Sequence, residues 1–272
     1  MSSRLGRWLA DHWVLGVAAL VLGYLLLPVV VVAGLSFNRP ASRLSYDFHE
    51  FTLENWRDPC ASAEMCTAVL RSVQIGFLAT VVSTVLGTLL AFALARHRFR
   101  GRGAVNLLVL APMATPEVVL GTALLALLVA AGVPQGFWTV VIAHVLFCLS
   151  FVVVTVRARL SGMDHRLTEA ALDLYATPWQ VFRRVTLPLV LPGIVAAALL
   201  AFSLSFDDFI VTNFNSGTTV TFPMYVWGAN QRGIPPQVNV VGTAMFGTAL
   251  LLVLAGSTRW RGRRGRRVGG NG

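Results

Sequence analysis

Two adjacent carboxylates lie inside a long apolar run in the stretch Leu204–Phe214, LSFDDFIVTNF. Asp207 and Asp208 each cost several kcal/mol to hold away from water unless a positive group or several donors meet them. A third carboxylate, Glu117, follows two prolines in APMATPEVVLG (Ala111–Gly121). Carboxylates placed in this way can pair with a cationic cargo, relay protons, or pair with an arginine on a second chain. Asp207 and Asp208 also fit a plain helix end, hydrated or capped by Thr212 or Asn213. His144, alone in another apolar run, reads as a satisfied packing residue rather than a ligand.

The elements that must position these groups are membrane helices. The 272 residues are 56% hydrophobic and 12% charged, with a mean hydropathy of +0.69; a soluble domain carries about 25% charged residues. Spanning a bilayer takes about 20 apolar residues. Six segments qualify, near Trp13–Leu35, Val69–Ala95, Ala104–Ala131, Phe137–Val156, Leu189–Phe209 and Val238–Ser257. The fold class is therefore an all-α integral membrane protein with six transmembrane helices. The first segment reads as an uncleaved span, being longer than a signal-peptide core. With span five starting near Leu191, Asp207 lies about 24 Å along it, and Glu117 lies about 20 Å along span three. That puts all three carboxylates in the outer half of the membrane, with no arginine of this chain at that depth. Adjacent helical positions diverge by about 100°, so Asp207 and Asp208 are expected to face different surroundings.

All 22 basic residues are arginine. With both termini cytoplasmic, seventeen fall inside: Arg4 and Arg7, Arg96–Arg102, Arg157–Arg184, and the tail Arg259–Arg267. Five fall outside: Arg39, Arg43, Arg57, Arg71 and Arg232. This is the positive-inside bias. The net charge of +10 thus reads as a topology anchor meeting anionic lipid heads, not as a nucleic-acid surface. Cys60 and Cys66 share the first outer loop and are either a disulfide or two free thiols; Cys148 reads as packing. The last outer loop, Thr212–Gln237, is expected to fold back on the bundle. No domain boundary divides 1–272. The membrane core runs over about 69–258, with a long cytoplasmic loop at 157–188.

That loop is patterned. Asp164 can cap a short helix through Leu174, with Leu167, Ala170, Ala171 and Leu174 on one apolar face. Thr177, Pro178 and Gln180 form a second start, a capping box with proline at the first helical position, leading into Trp179, Val181, Phe182 and Val185. Pro188, Pro192 and Gly193 then mark a turn back into the membrane. Two short amphipathic helices suit docking to a soluble partner or lying on the lipid surface.

The stretch EAALDLYATPWQVFRRVTLP resembles the EAA loop of permease subunits in bacterial binding-protein-dependent ABC importers. Glu169, Ala170, Ala171, Leu187 and Pro188 match its pattern, and Val185 stands for isoleucine. Tyr175 replaces the usual glycine, so the turn there is expected to differ or to be more helical. The resemblance covers about residues 13–258. Several stretches resemble the spermidine/putrescine branch: Gly136–Leu160, Ala111–Gly121, Leu204–Phe214 and Phe222–Thr243. The resemblance implies the type I importer permease fold with a cytoplasmic coupling loop (Glu169, Ala170, Ala171, Asp173, Tyr175, Leu187, Pro188). It implies a multi-pass location in the bacterial inner membrane. The implied partners are a cytoplasmic ATPase dimer, a second permease and an extracytoplasmic substrate-binding protein. ATP and magnesium would be bound by the ATPase, and no cofactor by this chain, which has no GxxxxGK[ST] phosphate loop. A polyamine would supply the missing counter-charge to Glu117, Asp207 and Asp208. Trp138, Phe206, Phe209 or Trp227 would pack its stem and attract its ammonium groups.

A permease of the same class for another cargo, such as a metal chelate or an organic cation, is the first alternative, and two other classes compete. An ion-coupled carrier would relay protons through the three carboxylates, and inverted repeats would support it, but none is visible. A membrane enzyme would need a metal-spaced or nucleophile–base cluster, and the five histidines are scattered.

Overall fold

The computed structural model describes residues 2–42, 45, 47–164 and 166–251, without the side chains of residues 2–12. The basic tail, Arg43, the side chains of Arg4 and Arg7, and the end of the expected sixth span lie outside the described residues. Backbone packing separates two units, one drawn from Met1–Cys66 and Gly228–Gly272, the other Thr67–Trp227.

In the first unit, α1 runs over Ser2–Leu35, and no residue of its apolar span Trp13–Leu35 is buried within the chain. Such a helix presents its surface to lipid or another subunit. A small cap follows. Strands β1 (Asn38–Arg39) and β2 (Glu50–Phe51) pair antiparallel, Asn38 opposite Phe51, and lead to α2 (Glu54–Arg57). Asn55 donates to the carbonyls of Ser36 and Asn38 at 3.1 and 2.9 Å. Phe37 stacks between Phe51 and Trp56. Cys60 and Cys66 are joined in a disulfide with Cα atoms 5.3 Å apart. Residues 236–251 are helical.

The second unit takes most of α3 (Ala63–Arg96) and then α4 (Arg102–Ala114), α5 (Glu117–Ala130) and α6 (Phe137–Ser161). The coupling segment follows with α7 (Arg166–Asp173), α8 (Pro178–Val181) and a π-helical turn at Phe182–Thr186. The unit closes with α9 (Leu187–Asp207), α10 (Ile210–Asn215) and α11 (Phe222–Asn230). Helix α6 is central. Its Phe147, Cys148, Val152, Val153, Val156 and Leu160 bury against Val190, Ala197 and Ala201 of α9, Ala91 and Leu94 of α3, and Val109 of α4. Cys148 is a packing residue there, its Sγ 3.4 Å from the Ala201 carbonyl.

Among the described residues four helices are long and apolar enough to cross a membrane, or five if one bent pair counts as a span. That pair is the third span expected at Ala104–Ala131, where Pro112 and Pro116 are expected to loosen the helix; it is broken outright, and α4 and α5 meet at 112°. Pro116 cannot donate to the Pro112 carbonyl, and its ring forces the preceding residue out of the helical region. Thr115 accordingly adopts ψ 131°, and its hydroxyl donates back to Ala111 at 2.8 Å. Glu117 therefore starts a new helix, and the depth counted along a straight one does not apply.

The expected turn at Pro188–Gly193 is also absent. The chain is helical without interruption from Pro178 to Asp207, 30 residues or about 45 Å. The π-helical turn lies just ahead of Pro188, where the Leu187 amide reaches Phe182, five residues back. Widening the helix there relieves the ladder that two prolines would otherwise break. The second short helix of the loop is thus the beginning of the fifth span.

Candidate functional site

The EAA-like segment, 164–188, is built around a pair of caps. The Asp164 carboxylate accepts from the Arg166 amide at 2.9 Å and starts α7. At the second start, Thr177 Oγ1 accepts from the Gln180 amide at 3.3 Å, and Gln180 Oε1 accepts from the Thr177 amide at 2.9 Å. Between them Tyr175 has φ +60°, the left-handed conformation that a glycine would adopt without strain. The Tyr175 amide donates to Leu172 and the Ala176 amide to Ala171, the paired bonds of a Schellman cap. The expectation of a different or more helical turn at Tyr175 is therefore corrected. The tight turn is kept, because two satisfied carbonyls and the adjoining capping box hold the tyrosine where its Cβ is disfavoured.

Glu169, Ala170, Asp173 and Pro188 are exposed, while Ala171 and Leu187 are half-buried. Leu174 is 81% and Tyr175 97% exposed, with Leu167, Leu172 and Trp179 also open. Helix α7 buries no residue. The segment is anchored behind this face. Arg96 donates to Thr186 at 2.9 Å, Phe182 packs edge-on to Phe92 and stacks with Trp179, and Arg159 donates to the Leu189 carbonyl.

At the far end of the same continuous helix the two aspartates separate. Asp208 is extended (ψ 125°), which breaks the fifth span between α9 and α10. Its buried carboxylate accepts from the Val211 amide at 3.3 Å, the Thr212 amide at 2.8 Å and Thr212 Oγ1 at 2.8 Å. This is an N-terminal cap on α10. His144 Nε2 lies 3.3 Å from the same carboxylate and 2.9 Å from Thr212 Oγ1, while its Nδ1 is 2.6 Å from Ser205 Oγ. His144, 1% exposed, is indeed satisfied, but it is also the partner that the reading of unneutralised carboxylates overlooked. Asp207 is exposed and forms no ion pair among the described residues.

Helix α10 is tied down on its other sides. Asn215 Nδ2 donates to Gly121 of α5 and to Val211, and Thr139 of α6 donates to the Asn215 carbonyl at 2.7 Å. Gly121 permits the approach, since a Cβ there would sit 2.9 Å from the Phe214 ring. The last outer loop does fold back. Phe222 packs on Phe206, Trp227 on Phe209, and the Phe222 amide donates to Ser72.

The three carboxylates expected at one depth have different surroundings. Asp208 is used inside the chain, while Asp207 and Glu117 are both exposed, each beside a helix break. Glu117, expected buried, sits in the first turn of α5, where a helix dipole favours it. Phe206 is 7% exposed, buried against Phe202 and Phe222, so the rings that pack it leave no open face for a cargo. Trp138 is open but lines a shallow concavity with Arg71 and Phe137, and Arg71 sits over the Phe137 ring at 5.7 Å. A fixed cation there works against an ammonium group. Thr212 was named as a partner for a helix end at the two aspartates, and it is bonded to Asp208; Thr139 and Asn215 were missed, their one trace in the sequence being polarity inside apolar runs.

A family described as "binding-protein-dependent transport system inner membrane component" matches residues 83–267. The chain is 37% identical over 236 residues to the spermidine/putrescine transport system permease protein PotC of Haemophilus influenzae, covering 86% of this chain and 91% of that one. It is 35% identical to the putrescine transport system permease protein PotI of Escherichia coli, covering 85% of each. A solved structure of a bacterial alginate ABC transporter, in complex with an alginate pentasaccharide-bound periplasmic protein, superposes with a TM-score of 0.64. It has 16% identity and covers 94% of each chain, a likeness of fold.

Proposed function

The chain belongs to the family of binding-protein-dependent transport system inner membrane components, and from that premise we propose that it is a pore subunit of an ATP-driven importer of polyamines. It is a multi-pass inner-membrane permease of the ABC type. The observation that carries the cargo assignment is the 37% identity, over 86% of this chain, to a permease named for spermidine and putrescine. The geometry supports it with an exposed carboxylate, Asp207, beside a break in a membrane helix. A cation held there meets Coulomb attraction in a medium that screens less than water. Glu117, exposed beside the second break, is the other carboxylate offered to a cation of extended shape.

The energy comes from elsewhere. The sequence has no phosphate-cradling glycine loop, so ATP and magnesium belong to a cytoplasmic ATPase dimer. The face formed by Glu169, Ala170, Leu174 and Tyr175 docks on it. The unbroken helix from Pro178 to Asp207 carries a displacement of that face to the carboxylate as one rigid element. A second permease completes the pore, and an extracytoplasmic binding protein delivers cargo on the outer side. Both termini face the cytoplasm in this arrangement.

Radiolabelled spermidine uptake tests the reading, in cells lacking this chain, with the wild-type or Asp207→Asn copy restored. Saturable uptake with wild type and a raised half-saturation concentration with Asp207→Asn is expected. No restoration, with the protein in the membrane and its partners expressed, removes the polyamine assignment and leaves the family.

A further inference from the structure

We propose that His144 is a positioning residue for transport: one imidazole staples the two sides of the α9–α10 break and so sets where Asp207 is presented. That Asp207 meets cargo rests on the reading above; the staple does not.

The ring comes from α6 and is almost wholly buried. Nδ1 is engaged by Ser205, before the break, and Nε2 by Thr212 and Asp208, after it. Proton counting assigns the roles. A carboxylate only accepts. Thr212 has one hydroxyl proton, which goes to Asp208 Oδ2 at 2.8 Å. Nε2 therefore carries the proton aimed at Thr212 Oγ1 and Asp208 Oδ2, and Nδ1 accepts from the Ser205 hydroxyl. In an unbroken helix Ser205 and Thr212 would be separated by a rise of about 10.5 Å. Here two hydrogen bonds of 2.6 and 2.9 Å and the width of one ring connect them. Straightening the break thus requires the imidazole to release one arm into an apolar core, where an unpaired polar group is costly. Asp207 is the last residue of α9, at the point the staple holds.

The test uses the assembled transporter in membrane vesicles with its partners co-expressed. Cys60 and Cys66 are oxidised and Cys148 is buried, so Asp207→Cys adds one reactive thiol to this chain. Its rate of reaction with a small cationic methanethiosulfonate is measured with His144 intact, His144→Leu, His144→Gln and Ser205→Ala. Losing hydrogen bonds to a charged group shifts a local equilibrium by about 10- to 100-fold. His144→Leu is therefore expected to change the rate by at least about 10-fold. His144→Gln, whose amide keeps a donor toward Asp208, is expected to stay within about threefold of wild type. Ser205→Ala, which removes the other arm alone, shifts the rate in the same direction as leucine and carries the test should the leucine variant not accumulate. Val153→Ala, a cavity elsewhere on α6, controls for loosened packing and is expected to leave the rate unchanged. Equal effects from Val153→Ala and His144→Leu, or no effect from His144→Leu and Ser205→Ala, overturn the staple. The cargo reading is scored separately, by spermidine uptake in Asp207→Asn with His144 intact. A raised half-saturation concentration there without dependence of the thiol rate on position 144 overturns the staple and keeps the cargo reading; dependence on position 144 with an unchanged half-saturation concentration upholds the staple and removes the cargo reading.

Discussion

Asp207 and Asp208 are neighbours of identical chemistry, and the structure predicts opposite responses to the same substitution. In Asp208→Asn one carboxylate oxygen becomes an NH2 group. The Oδ2 site takes three of the four contacts, from the Thr212 amide, Thr212 Oγ1 and His144 Nε2. The asparagine oxygen will therefore occupy it, leaving the new NH2 against the Val211 amide, donor facing donor. Hydrogen bonds to an ionised acceptor are about twice as strong as neutral ones. Weakening three and losing one costs about 2–4 kcal/mol after allowing for non-additivity. Asp207→Asn removes an exposed charge and is expected to stay within about 0.5 kcal/mol. At about 2–4 °C per kcal/mol for a chain of this size, the thermal transition of the purified complex in detergent should fall by about 4–16 °C for Asp208→Asn and stay put for Asp207→Asn. Spermidine uptake should show the reverse asymmetry in half-saturation concentration among molecules that remain folded. Equal shifts for the two variants, or a stable Asp208→Asn, would refute the assignment of Asp208 to the α10 cap.

The coupling segment yields two more expectations. Tyr175→Gly removes a left-handed strain of about 1–2 kcal/mol against about 0.5–1 kcal/mol of added chain entropy. The Ala176 amide, bonded to Ala171, should then exchange no faster than in wild type, whereas Tyr175→Val should speed it; faster exchange in the glycine variant would contradict the Schellman geometry. Glu169→Ala leaves the fold untouched, since α7 buries nothing, but is expected to separate ATP hydrolysis from uptake in reconstituted transporter. Normal coupling in that variant removes the docking role of Glu169.

Much of this was readable in the residues. Long apolar runs are unambiguous because a bilayer admits little else than helices, and four of the six expected spans are continuous helices among the described residues. The Asp164 start and the Thr177–Gln180 capping box were legible because a cap is a local event, settled within three or four residues. Prolines were legible as disturbances but not in their outcome. Pro116 bends its helix by 112°, whereas Pro188 and Pro192 are absorbed behind a π-helical turn.

What the sequence determined by itself is the class of molecule, its membrane helices, its local caps and the motif proposed to dock it. These depend on composition and on contacts only a few residues apart. Tertiary structure alone decided the fate of each ionisable group. Asp207 and Asp208 differ in no property of type or spacing. They differ because His144, 64 positions away from Asp208 in the chain, reaches one carboxylate and not the other. Removing a charge from water is offset only by specific donors at hydrogen-bond distance, and that distance is set by how α6 packs on α9.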